Sequence, residues 1–274
     1  MKKNIFLFFF ILSTTLTYAQ QSFKELYEQA LQTVETDSLA KAESLFKEVL
    51  KLEPSNPRNA LVFSNLGTVQ RRMNKTDDAI ESYTLALNLS PKNVPILLNR
   101  ASLFLELGKE NRAYVDYCDV LDLNKNNTEA LLFRAYIYMG RRDYKAAEVD
   151  YKQLLLLDPE SLSGYMGLAN LYQKQQKYRE ALDIYNKLLL DHPQDATLYI
   201  ARADLEQEMS HSDLAIIDLD EAIRLDPSAS EAYVLRGNVY LSMKKKGLAK
   251  SDFEKAITLG VLPADLHDVL KQCK

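Results

Sequence analysis

The stretch "LLFRAYIYMGRRDYKAAEVDY", Leu131 to Tyr151, decides how the rest of the chain is read. Two largely apolar runs flank the polar turn "GRRD", and their apolar residues recur at helical spacing, which predicts two helices folded back on each other. One residue resists that reading. Arg134 stands between Phe133 and Ala135, inside the first run, where its charge would have to be buried.

Outward from this stretch, Ala147 is repeated at Ala79, Ala113, Ala181, Ala215 and Ala249 on steps of 34 residues, with Ala42 one step of 37 before Ala79. Twelve residues ahead of that column runs a second small one: Ala30, Gly67, Ala101, Ala135, Ala169, Ala203 and Gly237. Four residues after the alanines comes a bulky column: Phe46, Tyr83, Tyr117, Tyr151, Tyr185, Leu219 and Phe253. Pro54, Pro91, Pro159, Pro193 and Pro227 close five units, with Lys125 and Val261 at the other two. The small columns let two antiparallel helices approach closely, the bulky column fills the space beside the crossing, and proline blocks continuation of the second helix. A hairpin of this size cannot bury its own face, so the units must stack.

On these columns, as in "LGTVQRRMNKTDDAIESYTLALNLSP" and "LANLYQKQQKYREALDIYNKLLLDHP", the chain resembles the tetratricopeptide repeat family from about Phe23 to Val261. The resemblance implies an all-α fold, a right-handed superhelical solenoid of about seven hairpins over residues 23–261. Three extra residues in "PSNPRNA" are expected to skew the docking of the first hairpin on the second. Residues 262–274 are expected to form a capping helix and tail, with Pro263 at its first position and Leu266, Val269 and Leu270 on one face.

Arg134 then falls in a column one residue before the small one: Gln29, Leu66, Arg100, Arg134, Leu168, Arg202 and Arg236. Sixteen residues on lies Leu45, Ser82, Asp116, Asp150, Ile184, Asp218 and Asp252. Every hairpin with arginine has aspartate, and every hairpin without one lacks the other. This predicts ion pairs joining the two helices of one hairpin, Arg100–Asp116, Arg134–Asp150, Arg202–Asp218 and Arg236–Asp252, since the planar guanidinium can grip a carboxylate with two bonds. The arginines are read as structural, not as ligand-binding.

Residues 1–19, "MKKNIFLFFFILSTTLTYA", have a basic start, an apolar run from Ile5 to Leu12 and small residues where a signal peptidase reads. They predict a bacterial secretory signal cut after Ala19, hence a periplasmic or secreted protein with no integral membrane span after cleavage. Its removal takes two lysines and no acids, moving the formal charge from −4 to −6. Such a balance disfavours nucleic acid, whose binding is led by phosphate neutralisation. Cys118 and Cys273 show no metal or redox spacing, and a bridge between them is not expected.

No converging catalytic set is visible: no glycine-rich phosphate loop, no GxSxG and no HExxH. His192 and His211 are read as solvated turn residues and His267 as isolated, while Asp77 and Asp78 mark a helix start. The triplets at Asn74, Asn88 and Asn126 fit the glycosylation pattern but are read as turn and helix-end residues. No enzyme, cofactor or metal site is expected.

The resemblance implies that the first helix of each hairpin lines an inner face. One inner column is Ser64, Leu98, Leu132, Met166, Ile200 and Val234, and the next is Thr68, Ser102, Tyr136, Asn170, Asp204 and Asn238. An apolar stripe beside a hydrogen-bonding ladder suits an extended peptide or partner helix. The plainer alternative is that the stripe packs between neighbouring hairpins. The leading expectation is a non-enzymatic adaptor or scaffold of the cell envelope with a protein or peptide partner. A self-assembling scaffold and an envelope-glycan binder using Tyr136, Asn170 and Asn238 are the rivals.

Overall fold

A hairpin built from close-approaching helices needs small residues at the crossing, and the structure puts them there. The computed structural model describes residues 22–273, so the expected signal peptide lies outside the described residues. Among those residues every regular element is a helix. In chain order these are α1 (22–35), α2 (Leu39–Leu52), α3 (Asn59–Arg72), α4 (Thr76–Leu89), α5 (Val94–Glu106), α6 (Glu110–Leu123) and α7 (Thr128–Gly140). There follow α8 (Tyr144–Leu157), α9 (Leu162–Lys174), α10 (Tyr178–Asp191), α11 (Ala196–Glu208), α12 (Ser212–Leu225), α13 (Ser230–Ser242), α14 (Lys246–Thr258) and α15 (His267–Gln272). Helices α1 to α14 form seven successive hairpins. By contacts the chain divides between Ile137 and Tyr138, inside α7, into two units.

Both small columns are buried throughout, and so is the bulky column from Phe46 to Phe253. In the first unit, Phe23, Ala30, Ala42 and Phe46 of the first hairpin pack with Val62, Leu66 and Val69 of α3. In the second unit, Tyr185 packs with Ala169, Ala181 and Leu198, and Leu219 with Ala203, Ala215 and Ala232. Each such large side chain, fully buried, contributes roughly 1.5–3 kcal/mol.

The turns follow from local chemistry. Within each hairpin one residue takes a left-handed conformation: Asp37, Asn74, Gly108, Arg142, Gln176, Ser210 and Lys244. They fall on the same 37-then-34 spacing as the alanines, and only one is the residue type that adopts such a φ without steric cost. Between hairpins, Asn93, Asn127, Ser161 and Asp195 accept bonds from backbone N–H groups in the first turn of the next helix.

The three extra residues before α3 are ordered. The Asn59 side chain, buried, donates to the carbonyls of Glu53 at 2.8 Å and Pro54 at 3.1 Å, tying the end of α2 to the start of α3. The C-terminal segment needs a correction. Pro263 lies in a turn, and the helix begins only at His267. Gly260, at φ +107°, redirects the chain after α14, and Leu266 is buried against Tyr233, Phe253 and Ala256 before any helical turn forms. Val269 and Leu270 pack against the same cluster, so this segment caps the last hairpin.

Candidate functional site

The arginine column comes first because it separates scaffold from surface. Arg100 donates from Nε and Nη2 to the two oxygens of Asp116 at 2.9 and 2.8 Å. Arg202 does the same to Asp218 at 2.8 and 2.6 Å, and Arg236 to Asp252 at 2.8 Å twice. The carboxylates are buried and the guanidinium groups mostly so. The Asp218 bonds outweigh burial and raise the pKa of Arg202, and the Asp252 bonds do so for Arg236. Asp150 is likewise buried. Arg134 and Asp150 fall on opposite sides of the unit division.

A third partner in each set was missed in the sequence. The remaining Nη1 reaches back to the second helix of the preceding hairpin: Arg100 to Thr84 at 3.1 Å, Arg202 to Asn186 at 2.8 Å, Arg236 to Asp220 at 2.5 Å. Arg134 makes the corresponding approach to the Cys118 sulfur at 3.9 Å. These partners share one column, five residues after the alanines, and the two members ahead of the leucine hairpins are Lys47 and Lys152. An acceptor precedes each arginine and a cation precedes Leu66 and Leu168. That correlation was open to inspection in the sequence, but it links neighbouring hairpins rather than helices of one hairpin.

Where arginine is absent, other contacts take over. Before α3–α4, buried Glu43 of α2 accepts from Lys47 at 2.7 Å and Lys75 at 2.6 Å, and Gln70 donates to it at 3.4 Å while accepting from Ser82 at 2.7 Å. Burial opposes ionisation of Glu43, yet the bonds from Lys47, Lys75 and Gln70 outweigh it and hold its carboxyl down at about 2. Before α9–α10, Lys152 bonds Glu148 at 2.7 Å and the Tyr151 ring lies against Gly167.

On the first-helix face, the apolar column is not free surface. Ile200 is buried in the core with Ala203 and Leu219. Met166 packs on the cluster of Ala169 and Tyr185, and Val234 on that of Tyr233 and Phe253. Leu98 and Leu132 are half-buried and Ser64 is buried. The packing alternative therefore describes Met166, Ile200 and Val234. In the polar column Thr68 bonds the Tyr83 hydroxyl, Ser102 accepts from Arg71 at 2.9 Å, and Asp204 accepts from Gln173 at 2.8 Å. Three members remain exposed: Tyr136 in the first unit, Asn170 and Asn238 in the second. The flanking charges pair off as Arg71–Glu106, Arg72–Asp37 and Lys174–Glu208.

His211 is a correction. It is not simply solvated, because its Nδ1 lies 2.7 Å from the buried Glu206 carboxylate. Both cysteines are free thiols. Among the described residues no cluster of three metal-ligating side chains occurs, and no helix is long and apolar enough to cross a membrane.

Against known proteins, tetratricopeptide repeat models match residues 62–94, 138–205 and 230–259. A crystal structure of a tetratricopeptide repeat protein from Parabacteroides merdae is 36% identical, with TM-score 0.82, covering 92% of this chain and 99% of that one. The chain belongs to the tetratricopeptide repeat family. The Cut9–Hcn1 hetero-tetramer of the APC/C matches at 16% identity and TM-score 0.65, over 86% of this chain and 52% of that one. The pilF protein of Pseudomonas aeruginosa matches at 17% identity and TM-score 0.63, over 83% and 99%. These two show likeness of fold. No curated protein matches the sequence.

Proposed function

We propose that the protein is a non-enzymatic adaptor or scaffold of the cell envelope that binds a protein or peptide through its first helices. One observation carries this reading: in the second unit Asn170 and Asn238 are exposed at one register position while their neighbours pack or bond internally, and in the first unit, taken by itself, Tyr136 is exposed at that position. An exposed aromatic and two amides offer stacking area and backbone-reading groups without a charge preference. The Cut9–Hcn1 assembly, whose fold is similar, is a complex of several chains. Export rests on residues 1–19 and implies a mature N-terminus at Gln20, checked by N-terminal sequencing of the native protein.

The test is a peptide array and an envelope-glycan array probed with the same protein. Tyr136→Ala and Asn170→Ala should each weaken peptide capture several-fold while leaving helicity and Tm near the parent value. One neutral hydrogen bond contributes about 0.5–1.5 kcal/mol, so the asparagines should matter less than Tyr136. Glycan capture without peptide capture would replace this reading with the carbohydrate one.

A further inference from the structure

The second unit leaves apolar surface uncovered, and only on one kind of helix. Among the described residues, every large apolar side chain exposed in a helix of that unit, from Val149 on α8 to Leu248 on α14, belongs to the second helix of a hairpin. Clustered apolar exposure of this kind marks an interaction surface. Four of these residues form two matched pairs. Leu156 and Leu190 stand in the last turns of α8 and α10, 75% and 82% exposed. Leu214 and Leu248 stand in the first turns of α12 and α14, 50% and 51% exposed. The members of each pair are 34 residues apart, so each pair joins neighbouring second helices at one register position. Successive helices pack antiparallel, so second helices start at one edge of the unit and end at the other, about 20 Å away.

Charge marks the two edges with opposite signs. Beside Leu156 and Leu190 stand Asp158, Glu160, Asp191 and Asp195, and no lysine or arginine occurs between Lys152 and Lys174 or between Lys187 and Arg202. Lys152 is paired with Glu148, and Lys187 lies over the Tyr165 ring. Beside Leu248 run Lys244, Lys245 and Lys246, with no acid between Glu231 and Asp252. Near Leu214, Glu206 and Glu208 are taken by His211 and Lys174, which leaves Asp213 outnumbered by the three lysines. We propose that the second unit docks onto a second copy of this chain, with the acidic ends of α8 and α10 of one copy on the basic starts of α12 and α14 of the other. Equal spacing lets Leu156 and Leu190 meet Leu214 and Leu248 of the second copy, with carboxylates facing lysines at the rim. Both patches lie on second helices of one chain, so a two-fold axis satisfies them twice, each acidic end covering the other copy's basic end. The contact leaves the first-helix face free and is independent of peptide binding there.

The test is sedimentation equilibrium of the full chain. Mass should rise from monomer to dimer with concentration, and added salt should weaken that rise. Two double variants reverse one edge each: Glu160→Lys with Asp191→Lys, and Lys244→Glu with Lys246→Glu. Each sets like charges against each other in both contacts and should raise the dimer dissociation constant by roughly tenfold or more. All four side chains are exposed, so Tm and circular dichroism should hold. An equimolar mixture of the two variants should dimerise again, because each reversed edge then meets an edge of opposite sign. A parent that stays monomeric at every concentration would overturn the proposal, as would growth beyond the dimer. Variants that dimerise as the parent does, or a mixture that stays monomeric where the parent dimerises, would overturn it equally.

Discussion

Hairpins α3–α4 and α5–α6 are neighbours in the first unit, share the same small and bulky columns, and are fastened to what precedes them in different ways. In α5–α6 one arginine ties three helices together through its planar guanidinium, with two parallel bonds to a buried carboxylate and a third to Thr84. In α3–α4 the same position is leucine, and a relay of Glu43, Gln70, Ser82 and Lys75 does the fastening nearby. The second unit repeats the contrast: Arg202 and Arg236 clamp their hairpins, while α9–α10 relies on close packing of Tyr151 on Gly167. The difference teaches that backbone geometry is set by the small columns, and that the polar fastening is interchangeable as long as it is complete. A charge left without its partner is what the fold does not tolerate.

The sharpest way to break this comparison is to leave an arginine unpaired. Losing one partner of a buried pair costs about 3–5 kcal/mol and of an exposed pair about 1 or less. The Arg202 side chain is 23% exposed and that of Asp218 6%. Asp218→Ile should therefore cost about 2–4 kcal/mol in denaturant unfolding, reduced from the buried limit by the solvent at the guanidinium. Combining Arg202→Leu with Asp218→Ile, the pair already present as Leu168 and Ile184, should recover most of it. Additive losses in that cycle would refute interchangeability.

The packed junction has its own weak point. Helix propensity alone predicts that Gly167→Ala gains about 1 kcal/mol. A Cβ at that position would lie 2.4 Å from the Tyr151 ring, so the substitution should instead cost about 1–3 kcal/mol in thermal unfolding. Gly247→Ala, where a Cβ meets nothing within 4 Å, should not destabilise.

Acid should discriminate the relay from the clamps. Because the folded Glu43 carboxyl is depressed from 4.5 to about 2, its contribution is fully present above pH 4.5 and is lost as the pH falls toward 2. Tm measured across that interval should fall less steeply in Glu43→Gln than in the parent. Parallel profiles would show that the relay carries no linkage. The smallest effect belongs to a feature common to both kinds of hairpin. Ser210 takes φ +65°, and Ser210→Gly should gain about 0.5 kcal/mol, the relief of left-handed strain less the added chain entropy.

Much of this was legible in the chain itself. The hairpins, their crossings and the arginine–aspartate sets follow from columns that repeat at fixed spacing, and each set is confined to one hairpin. The backward bonds to Thr84, Asn186 and Asp220 were equally encoded, but reading them requires knowing which helix neighbours which. The Glu206–His211 contact recurs by position as the cation–ring contacts Tyr172–Lys177 and Tyr240–Lys245, but the residue types change from hairpin to hairpin, so no column of like residues marks it.

What the sequence determined by itself is the unit: its small crossings, bulky fillers and helix stops are local requirements that the side chains meet within about thirty residues. What only the tertiary structure decided is which side of each first helix is left over. An apolar residue at one register position suits a binding stripe and an inter-hairpin seam equally well, and only the approach of the neighbouring helix removes water from it. That approach buries Ile200, packs Met166 and Val234, and leaves Asn170 and Asn238 in solvent.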